Sequence, residues 1–120
     1  MFFVENIARG AEEFAWSITL RGHYIGTIGL HLLPEQLPEL GYWLGQPYWG
    51  QGYATEAAHA VVAAARAANV PALRSRALLS NVGSRNVLRK VGFIETGEAV
   101  DEAGALVGQR MMQMRLELER

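Results

Sequence analysis

The residues best suited to chemistry lie in a glycine-rich loop between a strand-like segment and an alanine-rich segment. The loop reads Trp49-Gly50-Gln51-Gly52-Tyr53-Ala54, and the alanines after it are strong helix formers. A helix begins with unpartnered backbone N–H groups that carry partial positive charge, and glycines before it let an anion approach them closely. The pattern therefore predicts a phosphate or diphosphate site at the start of the helix that follows the glycines.

Two common nucleotide-binding loops fit this segment poorly. Gly45 and Gly50 have the spacing of a P-loop, but Gln51 stands where that loop needs lysine. The dinucleotide fingerprint needs a third glycine, and Thr55 occupies its position. For Gly50 and Gly52 taken alone, a tight strand-to-helix turn without any ligand is the alternative.

The flanking segments predict an α/β (α+β) domain with a mixed, mostly antiparallel sheet and crossover helices. Hydrophobic spacing predicts a short helix over residues 4–8 that ends at Gly10. Alternation and turn residues predict strands and helices in the order strand 14–20, strand 24–32, strand 37–44, helix 54–68, strand 72–79, a short helix ended by Gly92, strand 93–100 and strand 109–119. Ser84 is predicted to cap the short helix.

Composition limits the classes of function. The 120 residues predict one domain over residues 1–120, and a net charge of -1 argues against a basic nucleic-acid face or a polybasic membrane anchor. The chain has no cysteine, which excludes thiolate catalysis and cysteine metal sites. No metal site is predicted. The start carries an acid early and lacks the apolar core of a signal peptide, so the cytoplasm is the expected location.

Two motifs in the chain form its most specific pattern. The first joins Glu39-Leu40-Gly41-Tyr42-Trp43-Leu44 to the run Tyr48-Trp49-Gly50-Gln51-Gly52-Tyr53-Ala54-Thr55-Glu56-Ala57. The second is Asn81-Val82-Gly83-Ser84 followed by Val87-Leu88-Arg89-Lys90-Val91-Gly92-Phe93. In order and spacing the two motifs resemble the GNAT acetyltransferases, in the RimJ/RimL-like branch of ribosomal-protein N-acetyltransferases, and the resemblance covers roughly residues 15–119.

The resemblance implies an N-acetyltransferase that moves an acetyl group from acetyl-CoA to an amine by direct attack in a ternary complex. The amine would be a protein N-terminus or a small amine, and no metal would take part. In such a protein the diphosphate would meet the N–H groups of Gln51, Gly52, Tyr53, Ala54 and Thr55. The pantetheine arm would pair with the strand ending at Leu44, and Asn81 and Asn86 would supply further contacts. An N–H within residues 43–45 would face the thioester carbonyl.

The resemblance also suggests an acid and a base. Glu39 matches the strand glutamate that serves as base in several members, although a solvated strand glutamate is the alternative. His31 on the neighbouring strand is a rival base, or a structural histidine. The usual tyrosine acid is missing because Leu88 holds its position, so Ser84 is the remaining candidate, with a helix cap as its alternative role.

The chain departs from the family at its start, where members open with a strand and two helices. Residues 1–13 are interpreted as a possible remnant of an N-terminal helix, which would leave strand 14–20 as an exposed sheet edge. A homodimer would cover such an edge. The departure supports an alternative function, a non-catalytic acyl-CoA-binding domain or a fragment that needs a partner. Two further groups of residues each allow two interpretations. Aromatic residues could line the acceptor site or fill the core: Tyr42, Trp43, Tyr48 and Trp49. Basic residues could contact a CoA phosphate or be solvated charges: Arg85, Arg89 and Lys90.

Overall fold

Alternating burial along the strands determines which face of the sheet meets the helices. The computed structural model describes residues 2–6, 13–100 and 108–118. Within these ranges the chain forms one seven-stranded sheet in the order β1-β2-β3-β4-β5-β7-β6 and two α-helices. The elements are β1 Phe2–Asn6, β2 Glu13–Leu20, β3 His23–His31, β4 Glu39–Leu44, α1 Tyr53–Ala67, β5 Ala72–Leu78, α2 Val82–Val91, β6 Ile94–Val100 and β7 Arg110–Glu117.

The hydrophobic core lies between one face of the sheet and both helices. Every second residue of β3 and β4 faces it, including Ile28 and Leu40, which are almost fully buried. Helix α1 contributes small residues such as Ala57 and Val61, and α2 contributes Leu88. The small residues let α1 approach the sheet closely. Neither α-helix in the described ranges is long and apolar enough to cross a membrane.

The structure has a strand at the start of the chain where the sequence predicted a helix. Phe2–Asn6 pairs antiparallel with β2, from Phe2 opposite Leu20 to Asn6 opposite Trp16. The predicted sheet edge at residues 14–20 is therefore wrong, because β1 occupies the edge beside β2. The remaining residues of the interpreted helix remnant, 7–12, lie outside the described residues.

Strands β4 and β5 are the parallel neighbours that α1 connects, and their pairing is short. It covers only Glu39 with Arg74 and Leu40 with Ser75. Ser75 Oγ donates a hydrogen bond of 2.7 Å to the carbonyl of Leu40 at the last of these pairs. Beyond it the two strands separate and leave a gap. The second crossover, α2, does not produce a parallel pair, because β7 lies between β5 and β6.

Helix ends follow local capping chemistry, with one difference from the sequence prediction. The cap of α2 is Asn81, whose Oδ1 accepts a hydrogen bond of 3.0 Å from the backbone N–H of Ser84. The predicted role of Ser84 as the cap is wrong, since Ser84 lies one turn inside the helix. Its hydroxyl is therefore available for other contacts. Gly92 ends α2 in a left-handed conformation with φ of 116°, as predicted.

Candidate active site

A cavity of about 440 Å³ lies where β4 ends, α1 begins and the first turns of α2 pass by. Its size suits a small-molecule ligand. Eight of the ten residues predicted for the site line it: Leu44, Gly52, Tyr53, Ala54, Thr55, Asn81, Ser84 and Asn86. The two motifs, which residues 58–80 separate in the sequence, therefore meet at one place. Gln51 and Glu39 do not line this cavity.

The start of α1 presents a set of unpaired N–H groups to the cavity. Gly50 and Gly52 both adopt left-handed φ, at 76° and 86°, with Gln51 between them. This alternation turns successive N–H groups toward a common point, a geometry that binds anions. None of the N–H groups of residues 51–55 donates a hydrogen bond to another described residue, and the first helical bond runs from Glu56 to the carbonyl of Gly52.

The register of β4 fixes which of its backbone groups face the gap beside β5. Gly45 N–H donates to the carbonyl of Ile25 at 2.9 Å, so this position is hydrogen-bonded to β3. Antiparallel pairing alternates, and the backbone groups of Trp43 therefore also face β3, whereas those of Tyr42 and Leu44 face the gap. Within the predicted range of residues 43–45, only Leu44 can offer an N–H to a ligand in the gap.

An indole closes one side of this gap. Trp49 Nε1 donates a hydrogen bond of 2.7 Å to the carbonyl of Leu44. That contact ties the glycine-rich loop to the end of β4. It also occupies one lone pair of the carbonyl oxygen, so a ligand along β4 would rely on the N–H of Leu44 and on the backbone groups of Tyr42.

Ser84 and Tyr42 form a hydrogen-bonded pair across the cavity wall. The Tyr42 hydroxyl donates to Ser84 Oγ at 3.2 Å. Burial raises the pKa of the Tyr42 phenol above its ordinary value, and the hydrogen bond with Ser84 offsets part of that effect. Tyr42 therefore stays protonated at neutral pH and keeps donating. Because Ser84 Oγ accepts this bond, its own proton can be donated to a different acceptor, and the cavity lies beside it.

The three basic residues of α2 that could contact a CoA phosphate differ in their contacts. Arg85 makes a two-point ion pair with Glu95, with distances of 2.8 and 3.2 Å, and also contacts the carbonyl of Leu79. This pairing raises the pKa of Arg85 and lowers the pKa of Glu95. Arg89 donates to the side chain of Asn86 at 2.7 Å. Only Lys90 among the three lines the cavity.

Glu39 lies at the opposite end of β4 from the cavity and is engaged by two arginines. Its Oε1 is 3.0 Å from Arg74 Nη1, and its Oε2 is 3.1 Å from Arg76 Nε. The side chain is 19% exposed. His31, the rival base, is exposed and stands directly opposite Glu39 in the β3–β4 register. The two candidate bases are thus neighbours on the sheet face that no described helix covers.

The four aromatic candidates divide between the core and the surface. Tyr42 and Tyr48 pack against the core, whereas Trp43 and Trp49 are 59% and 60% exposed. Sequence reasoning left both readings open because strand and loop aromatics serve either purpose. Two contacts of the site were not expected, the Tyr42–Ser84 bond and the Trp49–Leu44 bond. The aromatic residues flanking the glycine loop were the available signal for both.

The chain belongs to the GNAT acetyltransferases. A family model described as the acetyltransferase (GNAT) domain matches residues 2–94, more than half of the chain. A search of curated proteins finds no match. The family assignment agrees with the two motifs and with the mixed sheet on which the structure places them.

Solved structures share the fold at low sequence identity. A protein named "IAA acetyltransferase" from Bacillus cereus has a TM-score of 0.83 and 15% identity, over 98% of this chain and 99% of that one. A ribosomal-protein-S5-alanine acetyltransferase from Vibrio fischeri has a TM-score of 0.77 and 20% identity, over 88% of this chain and 61% of that one. Mycobacterium smegmatis RimJ, solved with CoA-disulfide, has a TM-score of 0.77 and 21% identity, over 88% of this chain and 53% of that one. The chain thus spans less than two thirds of the last two proteins.

Proposed function

We propose that this chain binds acetyl-CoA and transfers its acetyl group to the nitrogen of a primary amine. The observation that carries the proposal is the convergence of unpaired N–H groups at the start of α1, the backbone edge of β4 and the hydroxyl of Ser84 on one cavity. An anionic, elongated thioester needs these three things: donors for its diphosphate, an edge for its arm and a proton donor near its sulfur.

Each part of the cofactor has a matching part of the site. The N–H groups of Gln51, Gly52, Tyr53, Ala54 and Thr55 would hold the diphosphate at the positive end of α1. The amide-bearing pantetheine arm would lie in the gap as an added strand along Tyr42 and Leu44. Asn81, Asn86 and Lys90 line the side of the cavity formed by α2. The complex of M. smegmatis RimJ with CoA-disulfide supports this choice of cofactor.

The proposed chemistry is a direct acyl transfer. The amine nitrogen forms a bond to the thioester carbonyl carbon as the C–S bond breaks, and the carbonyl oxygen gains negative charge that the Leu44 N–H would stabilise. The nitrogen loses one proton, which Glu39 would accept. The leaving sulfur gains one proton, which Ser84 would donate while taking a replacement proton from water, and Glu39 would release its proton to water. Glu39 does not line the cavity, so proton transfer to it would run through water.

Ser84→Ala should lower kcat about tenfold and leave the Kd of acetyl-CoA within a factor of two. The substitution removes the proposed donor to sulfur, while Asn81 still caps α2 through the backbone N–H of residue 84. Single-turnover kinetics and calorimetry measure the two quantities. Tyr42→Phe is the matched control, because it removes the hydroxyl that faces Ser84 but not the proposed donor. An unchanged kcat for Ser84→Ala contradicts the role.

A second candidate function is a non-catalytic acyl-CoA-binding domain or a piece of a larger enzyme. Leu88, at the position of the usual tyrosine acid, is fully buried in the core and cannot reach a ligand. Glu39 is held by Arg74 and Arg76. Both facts favour a protein that binds the cofactor without turnover.

One experiment separates the two functions. Calorimetry with acetyl-CoA tests binding, and release of free CoA in the presence of amine acceptors tests transfer. Binding with acceptor-dependent CoA release supports the enzyme, and binding without release supports the second candidate. No binding contradicts both.

Several expectations from the sequence stay predictions. They are the RimJ/RimL-like character, a protein N-terminus or small amine as acceptor, the cytoplasmic location, the homodimer, and the lack of nucleic-acid, membrane or metal partners.

A further inference from the structure

A shallow trough crosses the sheet face opposite the helices. Its floor consists of Ala15, Gly29 and Gly41, which stand side by side on β2, β3 and β4 in the observed register. We call this the glycine trough. A Cβ placed on Gly41 would have no described heavy atom within 4 Å, so the space above it is open. The next residues along each strand on this face carry side chains, which makes the floor a depression.

The walls of the glycine trough differ in chemistry. One wall holds Glu39, which is two residues before Gly41, and His31, which is two residues after Gly29. The other holds Trp43 and Thr27, and the ring of Tyr24 stacks on that of Trp43 with centroids 6.4 Å apart. The wall residues of β4 are four positions apart, or roughly 13 Å between Cα atoms.

The glycine trough leads to the gap between β4 and β5. Pairing of these strands ends at Leu40 and Ser75, one residue before Gly41. The floor on β4 therefore adjoins the point where the strands separate. The N–H of Leu44 faces the same gap three residues further along β4, or roughly 10 Å away. A chain lying in the trough would bring its end to this gap, and the place proposed for the thioester lies along the same gap toward Leu44. Trp43 borders both the trough and the cavity.

The charges beside the glycine trough cancel. Glu13, Glu39, Arg74 and Arg76 lie along its polar wall and the adjoining strand, with two negative and two positive charges. Both oxygens of Glu39 are directed at the arginines. Such a border has no excess negative charge with which to attract a polycation.

We infer that the glycine trough is the path of the acceptor and that Gly41 sets its specificity. The acceptor is a primary amine on a slender chain, unbranched at the carbon that bears the nitrogen and without further positive charge. A side chain on that carbon would meet the floor or a wall. The inference rests on the proposed function, since it names the second substrate of the same reaction.

Three acceptors test the inference with the full chain and acetyl-CoA. Glycyl-glycinamide and valyl-valinamide have the same backbone and differ in branching, and spermidine adds positive charge. We expect kcat/KM for glycyl-glycinamide to exceed that of each of the other two at least tenfold. Comparable values for valyl-valinamide or spermidine overturn the stated acceptor class.

Gly41→Val tests the trough itself. The valine side chain would fill the open space above the floor, and β-branched residues suit strands, so the variant should fold. We expect kcat/KM for glycyl-glycinamide to fall about tenfold, with the Kd of acetyl-CoA within twofold of the original. Gln113→Val, an exposed position of β7 on the same face, should change neither quantity. If Gly41→Val fails to fold, Gly41→Ala should show a loss of about threefold.

Different experimental results would contradict the inference about the glycine trough and the proposed function. If acceptor-dependent turnover is unchanged in Gly41→Val or Gly41→Ala, the glycine trough is not the path of the acceptor, and the proposed enzyme activity is unaffected. Acetyl-CoA binding without turnover of any of the three acceptors also overturns the inference. Absence of acetyl-CoA binding overturns the proposed function as well.

Discussion

Gly52→Asp should weaken the binding of acetyl-CoA about a hundredfold, which corresponds to about 2.7 kcal/mol. Gly52 is the residue before α1, and an aspartate there would place a carboxylate where the N–H groups of Ala54 and Thr55 can donate to it. The carboxylate would take these donors from the diphosphate and repel it. A Cβ at this position meets no described heavy atom within 4 Å, so the substitution causes no clash.

Gly52→Asn is the matched control for this prediction. Asparagine and aspartate have the same shape, and both tolerate the left-handed φ of 86° better than other side chains do. The two variants therefore share any backbone strain and differ in charge. We expect the Kd of the asparagine variant, measured by calorimetry, to rise tenfold or less. Equal losses in both variants would show that the diphosphate does not bind at this helix start.

Glu39→Gln should lower kcat/KM at neutral pH at least a hundredfold. Loss of a general base typically costs this much or more, and glutamine retains the shape and one acceptor oxygen but cannot take a proton. The loss should shrink as the pH rises, because an amine that is already neutral in solution needs no base. The measurement is a pH profile of kcat/KM for both proteins with one acceptor.

Arg76→Gln distinguishes the proposed base from a structural ion pair. It breaks one of the two ion pairs of Glu39 and leaves the carboxylate in place. If Glu39 acts as the base, this variant should retain activity within about threefold. Equal loss in Glu39→Gln and Arg76→Gln, with parallel pH profiles, would assign Glu39 to holding β4 beside β5.

The sequence predicted those parts of the fold that depend on local patterns. The alanine-rich helix after Gly52 and the short helix ended by Gly92 follow from propensity and capping residues close in the chain. The gathering of the motif residues around one cavity was predictable for the same reason. These residues lie in two short motifs, and the family fold brings these motifs together.

Contacts between distant segments were not predictable. The hydrophobic spacing of residues 4–8 fits a helix. The structure nevertheless has Phe2–Asn6 as a strand, because it pairs with β2, which lies further along the chain. The arginines beside Glu39 come from β5, and their approach depends on a register that no local pattern specifies. Asn81 and Ser84 are both good capping residues, and only the geometry of the turn decides between them.

The short pairing of β4 with β5 makes the sheet two halves joined at a seam. In the sheet, two residue pairs, the Ser75–Leu40 bond and the ion pairs of Glu39 with Arg74 and Arg76 link the first four strands to β5, β7 and β6. The helices add to this connection. A ligand that spans the seam would act as an internal cross-link. At a hundred times its Kd it would add about 2.7 kcal/mol to the unfolding free energy. Hydrogen exchange at the amides of Tyr42 and Leu44 should then slow, and cooperative unfolding would become a property of the loaded protein more than of the chain alone.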